Sequence, residues 1–409
     1  METKPLMTFQ QPDSPHGKAT PGPGKTVCTG TRTPLDEGRL RQLLEELGTE
    51  ARRFRFEVAP NPCVGAAILA DGEVIGRGYH RSWGSGHAEV EALAEAARSG
   101  VPRESWDLAV VTLEPCSTTG KTPPCTSALV ESGVPRVLVA EVDPDPRHRG
   151  ASLEMLRQQG LEVLRLEGAA PLEELSPHFL RWNSVERLRR ERPWVIAKWA
   201  QTRSGQLQPP EDIGEGRWIS GAESRREVHE LRSRVDAIVT GVGTVLSDDP
   251  RLTIREGVEQ GEAPLRVVLD SYLRTPPDAA LFRAPEGEER AGRVLILTVA
   301  GADGSRWRAL EAAGAEVRGL HTEDGHRLDL REVQEELWGL GVRRVLLEAG
   351  PTLLEAMLER EYVDQVRVYT GDVIGGRGPT MAAWFAGARL EERLDRECGE
   401  DAVLEFFPG

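Results

Sequence analysis

Short apolar segments with strand character alternate with amphipathic helical segments along most of the chain, and this alternation constrains the fold more than any other feature. Residues 35–170 read as a helix, a hairpin with an Asp-Gly turn and then three helix–strand pairs. A second series of strands and helices, including a strand predicted over 236–246, runs over 193–409. Such alternation predicts α/β domains, and 409 residues exceed one ordinary hydrophobic core. We therefore expect two α/β domains joined by a linker over 171–192.

Residues 1–34 lack periodic apolar positions and are rich in Pro, Gly, Thr and Gln, so we expect a disordered tail. No apolar run reaches the roughly 18 residues that a membrane helix needs, and the N-terminus has no secretory h-region. We therefore expect a cytoplasmic protein with no membrane partner. The net charge of −15 argues against a nucleic-acid partner, because an acidic chain repels the phosphate backbone. Small phosphorylated metabolites remain compatible with this charge.

Two of the five cysteines, Cys116 and Cys125, lie in a loop rich in Pro, Thr and Gly with eight residues between them. Isolated cysteines are mostly buried apolar side chains, but these two stand at or near predicted helix starts behind Pro115 and Pro124. Backbone N–H groups at a helix start favour a thiolate, and thiolates bind metal ions. The pair therefore predicts two metal ligands.

The segment GHAEVEAL places His87 in the first turn of a predicted helix and Glu89 two residues later. A single His-x-Glu pair usually belongs to a solvated helix face, but zinc deaminases combine it with a Pro-Cys motif, which here follows the strand DLAVVTLE. Zinc held by one histidine and two cysteines keeps a fourth position open for water. We therefore predict a catalytic zinc site of His87, Cys116 and Cys125, with Glu89 as the proton carrier.

Three segments of the first half, APNPCVGAAI, HAEVEAL and TLEPCSTTGKTPPCTSAL, resemble the deaminase domain of the bifunctional RibD/RibG enzymes of riboflavin biosynthesis. The long spacing of the two cysteines separates this branch from deaminases with a Cys-x-x-Cys motif. The resemblance implies a cytidine-deaminase-like fold for 35–170 and the zinc ligands named above. It also implies that Asn61, His80 and Lys121 contact the pyrimidine or its ribose phosphate.

Several positions of the first half differ from the usual family motifs. Thr118 and Thr119 replace two histidines, and Asp145 replaces an asparagine in the turn DPDP. Gly86 stands where the family has proline before the histidine ligand, and Ser152 replaces a glycine. These differences predict partly altered substrate contacts around an intact metal site.

The second half contains stretches, among them VLLEAGPTLLEAML and VIGGRGP, that resemble the reductase domain which follows the deaminase in the same family. The resemblance spans nearly all of 193–409 and implies a dihydrofolate-reductase-like fold with NADPH at the carboxyl edge of the sheet. The implied substrate contacts are Lys198, which is also the implied catalytic residue, Arg232, Leu252, Arg255 and Glu348. The implied NADPH contacts are Ala200, Trp218, Thr244, Asp248, Ser271 and Gly350.

Arg232 and Arg255 fit a phosphate because a guanidinium can form two parallel hydrogen bonds to it. Three positions of the second half differ from the family. Ser204 stands in place of an aspartate, Gly216 in place of a substrate-contacting serine, and Ala349 in place of a glycine. We expect strain at Ala349 if its φ is positive.

The two resemblances together predict a bifunctional riboflavin-pathway enzyme. Zinc-dependent deamination of 2,5-diamino-6-ribosylamino-4(3H)-pyrimidinone 5′-phosphate would precede NADPH-dependent reduction of the ribosyl to a ribityl chain. Related enzymes commonly assemble, so we expect a homo-oligomer. Two alternatives stay open: a deaminase of tRNA or a free nucleoside joined to an unrelated reductase, and a chain in which one domain is an inactive scaffold.

Overall fold

A computed structural model describes residues 36–118, 123–145, 148–184, 191–211, 218–255, 262–283, 287, 290–322 and 326–409. The chain divides into two compact units, Met1–Leu188 and Arg189–Gly409. The predicted tail over 1–34 lies outside the described residues, as do Thr119, Lys121 and Gly216. Within the described ranges, no helix is both long enough and apolar enough to span a membrane.

The first unit contains one five-stranded sheet and seven α-helices among its described residues. Its strands are β1 (Gly65–Ala70), β2 (Glu73–Tyr79), β3 (Trp106–Leu113), β4 (Arg136–Glu141) and β5 (Glu162–Arg165). Its helices are α1 (Glu37–Ala51), α2 (Arg55–Val58), α3 (Ala88–Arg98), α4 (Cys125–Ser132), α5 (Ala151–Gln158), α6 (Leu172–Leu175) and α7 (Pro177–Trp182). The strand order is β2-β1-β3-β4-β5. Strand β1 is antiparallel to both neighbours, whereas β3, β4 and β5 are parallel, as in the α/β domain that the alternation of helices and strands predicts.

Strand β1 lies between two layers of apolar side chains and is buried on both faces. Ile68 points into the layer formed with α3, α4 and α5, and its neighbour Leu69 points into the layer formed with α1. Successive side chains of a strand face opposite sides of the sheet, so a continuous apolar run serves both layers. The turn from β1 to β2 has positive φ at both Asp71 and Gly72, which confirms the predicted Asp-Gly hairpin.

Helix α3 packs against β2 at unusually short range because small residues face each other. A Cβ atom at Gly78 would lie 2.1 Å from the carbonyl oxygen of Ala88 and 2.2 Å from the amide nitrogen of Ala92. At Gly76 it would lie 2.5 Å from the carbonyl oxygen of Ala92. Only glycine allows this approach, and the start of α3 is thereby fixed over the sheet.

The structure differs from the predicted linker, because α6 and α7 fold onto the first unit. Leu175 joins the apolar layer beneath α1, where its side chain fills the space above Gly48. Leu172 and Leu175 are three residues apart, so one turn of helix buries both side chains. The segment from 172 to 182 is therefore part of the folded deaminase-like half rather than a free connection.

The second unit contains a nine-stranded sheet of order β11-β10-β9-β8-β12-β6-β13-β16-β15 and a small β7–β14 ribbon. The strands are β6 (Trp194–Gln201), β7 (Gln206–Gln208), β8 (Ala237–Gly241), β9 (Leu265–Leu269), β10 (Val294–Val299), β11 (Ala315–Leu320), β12 (Arg344–Leu347), β13 (Gln365–Thr370), β14 (Arg377–Thr380), β15 (Leu390–Cys398) and β16 (Asp401–Pro408). The helices are α8 (Ala222–Ser233), α9 (Val242–Asp248), α10 (Gly304–Ala312), α11 (Leu330–Gly339), α12 (Pro351–Glu359) and α13 (Ala382–Gly387). The first seven strands in this order, from β11 through β6 to β13, run parallel to one another. Strands β16 and β15 are antiparallel to their neighbours and form one edge of the sheet.

Helix α9 and strand β15 are differences between the second unit and the sequence-based prediction. The strand predicted over 236–246 ends at Gly241, and α9 begins at Val242. Val242 and Val245 are both buried, so helical spacing places their side chains on one face. Strand β15 was not predicted, because its sequence LEERLDREC is mostly charged and forms the edge of the sheet.

Buried charges join α8 to the antiparallel edge of this sheet. Glu227 of α8 accepts hydrogen bonds from Tyr369 Oη at 2.8 Å and from Arg367 Nη1 at 3.0 Å. Glu405 of β16 accepts from Arg367 Nε at 2.5 Å and from Arg396 Nε at 3.1 Å, while Arg396 Nη1 donates to Glu227 at 2.9 Å. Two carboxylates and two guanidiniums thus compensate each other, with Arg367 and Glu405 buried and Glu227 and Arg396 partly exposed.

The contact between α3 and β2 predicts the effect of Gly78→Ala. The added methyl group would overlap backbone atoms that cannot rotate away, so we expect the unfolding transition of the first unit to move to lower temperature by several degrees, in keeping with a cost of about 1–3 kcal/mol for overpacking. Scanning calorimetry measures this shift. Gly339→Ala adds the same group where no heavy atom lies within 4 Å and should lower neither transition, because alanine is the better helix former. Equal transitions in the two variants would contradict the close packing.

Candidate functional site

Three potential metal ligands of the first unit converge at the starts of two helices. His87 is the N-cap residue of α3, Cys125 is the first residue of α4, and Cys116 lies in the loop after β3. His87 Nδ1 lies 3.3 Å from Cys125 Sγ and 3.5 Å from Cys116 Sγ. All three ligand atoms lie within 4.8 Å of one another. The structure therefore brings the three predicted ligands together.

Cys116 is not itself in a helix, but it lies near a helix start, as predicted. Its sulfur accepts a hydrogen bond of 3.3 Å from the backbone N–H of Cys125, at the first turn of α4. The side-chain hydrogen bond from Cys125, together with contacts to His87, lowers the pKa of Cys116 to about 4, although burial acts in the opposite direction. The cluster thus favours a thiolate at Cys116.

Glu89 is the second residue of α3 and is only 3% exposed. Burial raises the pKa of this carboxyl group, while its own backbone hydrogen bond and the nearby His87 lower it. The helix places Glu89 near the sulfur of Cys125, whose interaction with the carboxylate also lowers the pKa of Glu89. A buried carboxyl group next to a cluster of metal ligands is suited to moving protons.

A chain of hydrogen bonds connects two predicted substrate residues to the segment before His87. Asn61 Nδ2 lies 3.2 Å from His80 Nε2, and His80 Nδ1 lies 3.2 Å from the carbonyl oxygen of Gly86. Only a protonated Nδ1 can donate to a carbonyl oxygen, so Nε2 is assigned as the acceptor from Asn61. The rings of His80 and His87 meet edge to face at 5.1 Å between centroids. Asn61 and His80 therefore lie beside the three candidate metal ligands.

The sequence alone did not reveal the role of Glu114, which directly follows β3. Its buried carboxylate accepts backbone hydrogen bonds from Asp143 at 3.1 Å, Gly150 at 2.9 Å and Ser152 at 3.2 Å. The hydroxyl of Ser152, which stands where the family has glycine, donates a fourth at 2.7 Å. Asp145 lies buried within this loop. Glu114 thus connects the loop after β4 to β3, the strand that precedes Cys116. The sequence signal that could have indicated this role is the glutamate directly before Pro115 and Cys116.

The second unit brings Lys198, Arg232 and Glu348 into contact. Leu347 of β12 pairs with Ala197 of β6, so the next residues, Glu348 and Lys198, are neighbours. Glu348 accepts from Arg232 Nε at 2.6 Å and Nη2 at 3.0 Å, and Lys198 Nζ lies 4.0 Å from the same carboxylate. Burial alone would raise the pKa of Glu348, but Arg232 and Lys198 lower it to about 2. Burial also lowers the pKa of Lys198, which the charge of Glu348 partly offsets.

Leu252 and Arg255 belong to the loop that follows α9, next to Arg232. Arg232 Nη1 donates to the carbonyl oxygen of Thr253 at 2.8 Å, and Arg255 Nε donates to the hydroxyl of Thr253 at 3.1 Å. Leu252 is buried in a left-handed conformation with φ of 52°. Three of the five N–H donors of Arg232 are engaged in this way, whereas the Arg255 side chain is exposed.

Several predicted cofactor residues follow adjacent parallel strands. Thr244 of α9 accepts a hydrogen bond of 3.0 Å from the backbone N–H of Gly350, the N-cap of α12. Ser271 follows β9, and its hydroxyl accepts from Leu328 N at 3.3 Å. Because β9, β8, β12 and β6 are neighbours, these residues share the carboxyl edge of the sheet, where α/β proteins bind ligands.

The other predicted cofactor residues differ in exposure from this group. Ala200 lies half-buried near the end of β6, and Asp248 is exposed at the end of α9. Trp218 is 63% exposed, and the Arg225 guanidinium lies 5.4 Å from its ring centroid. Trp218 and Asp248 are thus more exposed than the half-buried Thr244, and their role in cofactor binding stays a prediction.

Two sequence departures have a local structural account. Ser204 lies in the turn between β6 and β7, where its hydroxyl accepts a hydrogen bond of 2.9 Å from Gly375 N. The strain expected at Ala349 is not found, because its φ is not positive and its methyl group packs against the core. An alanine at 349 is thus compatible with the start of α12.

Comparisons with known proteins match both halves of the chain. The model of the cytidine and deoxycytidylate deaminase zinc-binding region matches residues 39–141, and that of the RibD C-terminal domain matches residues 193–394. The riboflavin biosynthesis protein RibD of Aquifex aeolicus is 33% identical over 363 residues, which cover 87% of this chain and 95% of that protein. RibD of Escherichia coli is 36% identical over 332 residues, covering 78% and 84%.

Solved structures give the same result. RibD of Acinetobacter baumannii superimposes with a TM-score of 0.62 at 27% identity, covering 91% of this chain and 100% of that one. A Thermotoga maritima protein, described as a diaminohydroxyphosphoribosylaminopyrimidine deaminase and 5-amino-6-(5-phosphoribosylamino)uracil reductase, gives a TM-score of 0.60 at 27% identity, covering 90% and 99%.

These matches confirm a cytidine-deaminase-like first half and a dihydrofolate-reductase-like second half. They favour neither a deaminase joined to an unrelated reductase nor a chain with one inactive domain, because both halves match one bifunctional protein along most of its length. The chain belongs to the RibD family of bifunctional deaminase and reductase enzymes of riboflavin biosynthesis.

Proposed function

We propose that the first unit deaminates a diaminohydroxyphosphoribosylaminopyrimidine with zinc and that the second unit reduces the resulting 5-amino-6-(5-phosphoribosylamino)uracil with NADPH. The observation that carries the proposal is the convergence of His87, Cys116 and Cys125 beside the buried Glu89. The two activities by which the Thermotoga maritima protein is described suggest the substrates. The homo-oligomer expected from the resemblance stays a prediction.

The three ligand atoms fit a zinc ion. Bonds of about 2.1 Å to nitrogen and 2.3 Å to sulfur place tetrahedral N and S ligands about 3.6 Å apart. The measured nitrogen–sulfur distances are 3.3 and 3.5 Å. When bound, zinc supplies a Lewis acid that makes water nucleophilic near neutral pH.

In the deaminase reaction Glu89 is the group that moves protons. Its carboxylate oxygen takes one proton from the attacking water and delivers it to the ring nitrogen, and then moves the second proton of that water to the departing amino group. The water oxygen replaces the amino nitrogen, which leaves as ammonia, so no electrons are exchanged with a cofactor. Asn61 and His80 hold the pyrimidine beside this carboxyl group.

The carboxyl edge of the second sheet fits a dinucleotide. A Cβ atom at Gly243 would meet no heavy atom within 4 Å, and Gly350, the N-cap of α12, lies beside Thr244. Open backbone at a helix start suits a phosphate group. NADPH, when bound, supplies the hydride that reduces C1′ of the ribosyl group.

The reduction also needs one proton and a site for the phosphate. Lys198 holds a proton on Nζ next to Glu348 and donates it to the ring oxygen as the bond between C1′ and that oxygen breaks. The hydride and this proton together convert the ribosyl to the ribityl chain. Arg255, whose side chain is exposed, binds the 5′-phosphate, and Arg232 assists it with the two N–H donors that have no partner among the described residues.

Removal of the metal tests the first reaction. Protein stripped with a strong chelator should lose deamination, because the nucleophilic water is no longer activated, and should keep reduction of the deaminated pyrimidine. Mass spectrometry of the pyrimidine follows each step, and elemental analysis should find one zinc per untreated chain. Deamination by metal-free protein would contradict the proposal.

Glu89→Gln removes the proton carrier while it keeps the shape of the side chain. We expect kcat of deamination to fall by about 100- to 10,000-fold with unchanged zinc content and unchanged reductase activity. Glu91→Gln makes the same change on the exposed side of α3 and should retain activity. A similar loss in both variants, or loss in neither, would count against Glu89.

Glu348→Gln tests the charge cluster of the reductase. The negative charge that favours protonated Lys198 is lost, so the pKa of Lys198 should fall further and the basic limb of the reductase pH profile should move to lower pH. Initial rates of NADPH oxidation across pH measure the shift. Glu359→Gln, at an exposed position of α12, is the matched control. An unmoved basic limb in Glu348→Gln would exclude Lys198 as the proton donor.

A further inference from the structure

Asn61, which is predicted to contact the pyrimidine, lies in a backbone segment that belongs to no helix or strand. The hydrogen bonds of regular secondary structure therefore do not hold this segment in place. Asn61 stands between Pro60 and Pro62, neither of which has a backbone N–H to donate. Asn61 N donates to the carbonyl oxygen of Val58 at 3.0 Å, where α2 ends. The remaining backbone groups before β1 therefore need partners from elsewhere in the fold.

The corner between α6 and α7 supplies those partners on both sides of Pro62. His178 Nε2 lies 2.9 Å from the carbonyl oxygen of Asn61, to which it donates. On the other side of Pro62, the backbone N–H of Cys63 donates to Ser176 Oγ at 2.8 Å. Ser176 and His178 are buried, at 0% and 1% exposure. Two side chains of one helix corner thus hold the backbone that carries Asn61.

We propose that His178 is a positioning residue of the deaminase site, which holds Asn61 in the orientation that contacts the pyrimidine. The inference rests on the proposed function and adds the α6–α7 corner to that site. None of the sequence motifs that mark the deaminase includes this corner, which follows Cys125 by about 50 residues.

The hydrogen bonds continue from this corner toward the metal ligands. The backbone of Asn61 is held by His178, its side chain donates to His80, and His80 in turn donates to the carbonyl oxygen of Gly86. Gly86 immediately precedes the ligand His87. A displacement of the Asn61 backbone would therefore move the amide group away from His80 and out of its place beside the ligands.

The imidazole of His178 is suited to act as a permanent donor. Burial lowers the pKa of His178 to about 4, and the charges of Arg181 and Arg55 act in the same direction, although the hydrogen bond to Asn61 opposes them. The ring is therefore neutral near physiological pH. Its Nε2–H then donates to the Asn61 carbonyl oxygen throughout the range in which an enzyme of this kind would be assayed.

Two substitutions in the full-length chain distinguish the effect of losing the hydrogen bond of His178 from the effect of changing its packing. His178→Leu fills similar space without a donor, whereas His178→Gln keeps an N–H at a similar distance from the backbone. We expect kcat/KM of deamination to fall about 10- to 100-fold in His178→Leu, mainly through KM, and to recover to within about threefold of the native value in His178→Gln. Zinc content and reductase activity should be unchanged in both variants.

Zinc content serves as the control for folding of the first unit, and the reductase activity of the same chain is the control for the second unit and for the amount of enzyme. Native kcat/KM in His178→Leu, equal losses in both variants, or a parallel loss of zinc or reductase activity would each overturn the inference. If His178→Leu does not fold, Ser176→Ala takes its place with an expected fall of about fivefold, and unchanged kcat/KM there would also overturn it. Absence of deamination by the native chain would instead refute the proposed function.

Discussion

The close packing of α3 on β2 is the constraint on which the deaminase half depends. Gly76 and Gly78 leave room for the backbone of α3, so the first turn of that helix has one position above the sheet. His87 and Glu89 lie in or next to that turn, and both must face the loop that carries Cys116. A metal site built from separate elements needs each element fixed independently, and here glycine contacts fix one of them.

In the reductase half, ion pairs rather than glycine contacts hold the structural elements in place. Glu348 compensates Arg232 and Lys198, and Glu227 and Glu405 compensate two further arginines on the antiparallel edge of the sheet. Helix α8 is therefore held at two points by ion pairs that would be costly to break singly. This arrangement holds the guanidinium of Arg232 in place before a substrate binds.

The sequence predicted the two α/β halves and singled out His87, Cys116 and Cys125, which the fold brings together, because alternating apolar segments and the His-x-Glu and Pro-Cys motifs are local signals. It did not predict β15, whose stability depends on pairing with β16 rather than on apolar side chains. The roles of Glu114 and His178 were also missed, because their partners are distant in the chain. Those roles arise from contacts that only the folded chain creates.

The folding of α6 and α7 onto the first unit also decides where the chain could be divided into two working halves. A fragment that stops at residue 170 would lack Leu172 and Leu175, and the apolar layer beneath α1 would open to water at Gly48. It would also lose the side chains of Ser176 and His178 that hold the Asn61 backbone. A deaminase fragment that folds on its own must therefore extend through α7. This end point lies well after the sequence motifs that mark the deaminase.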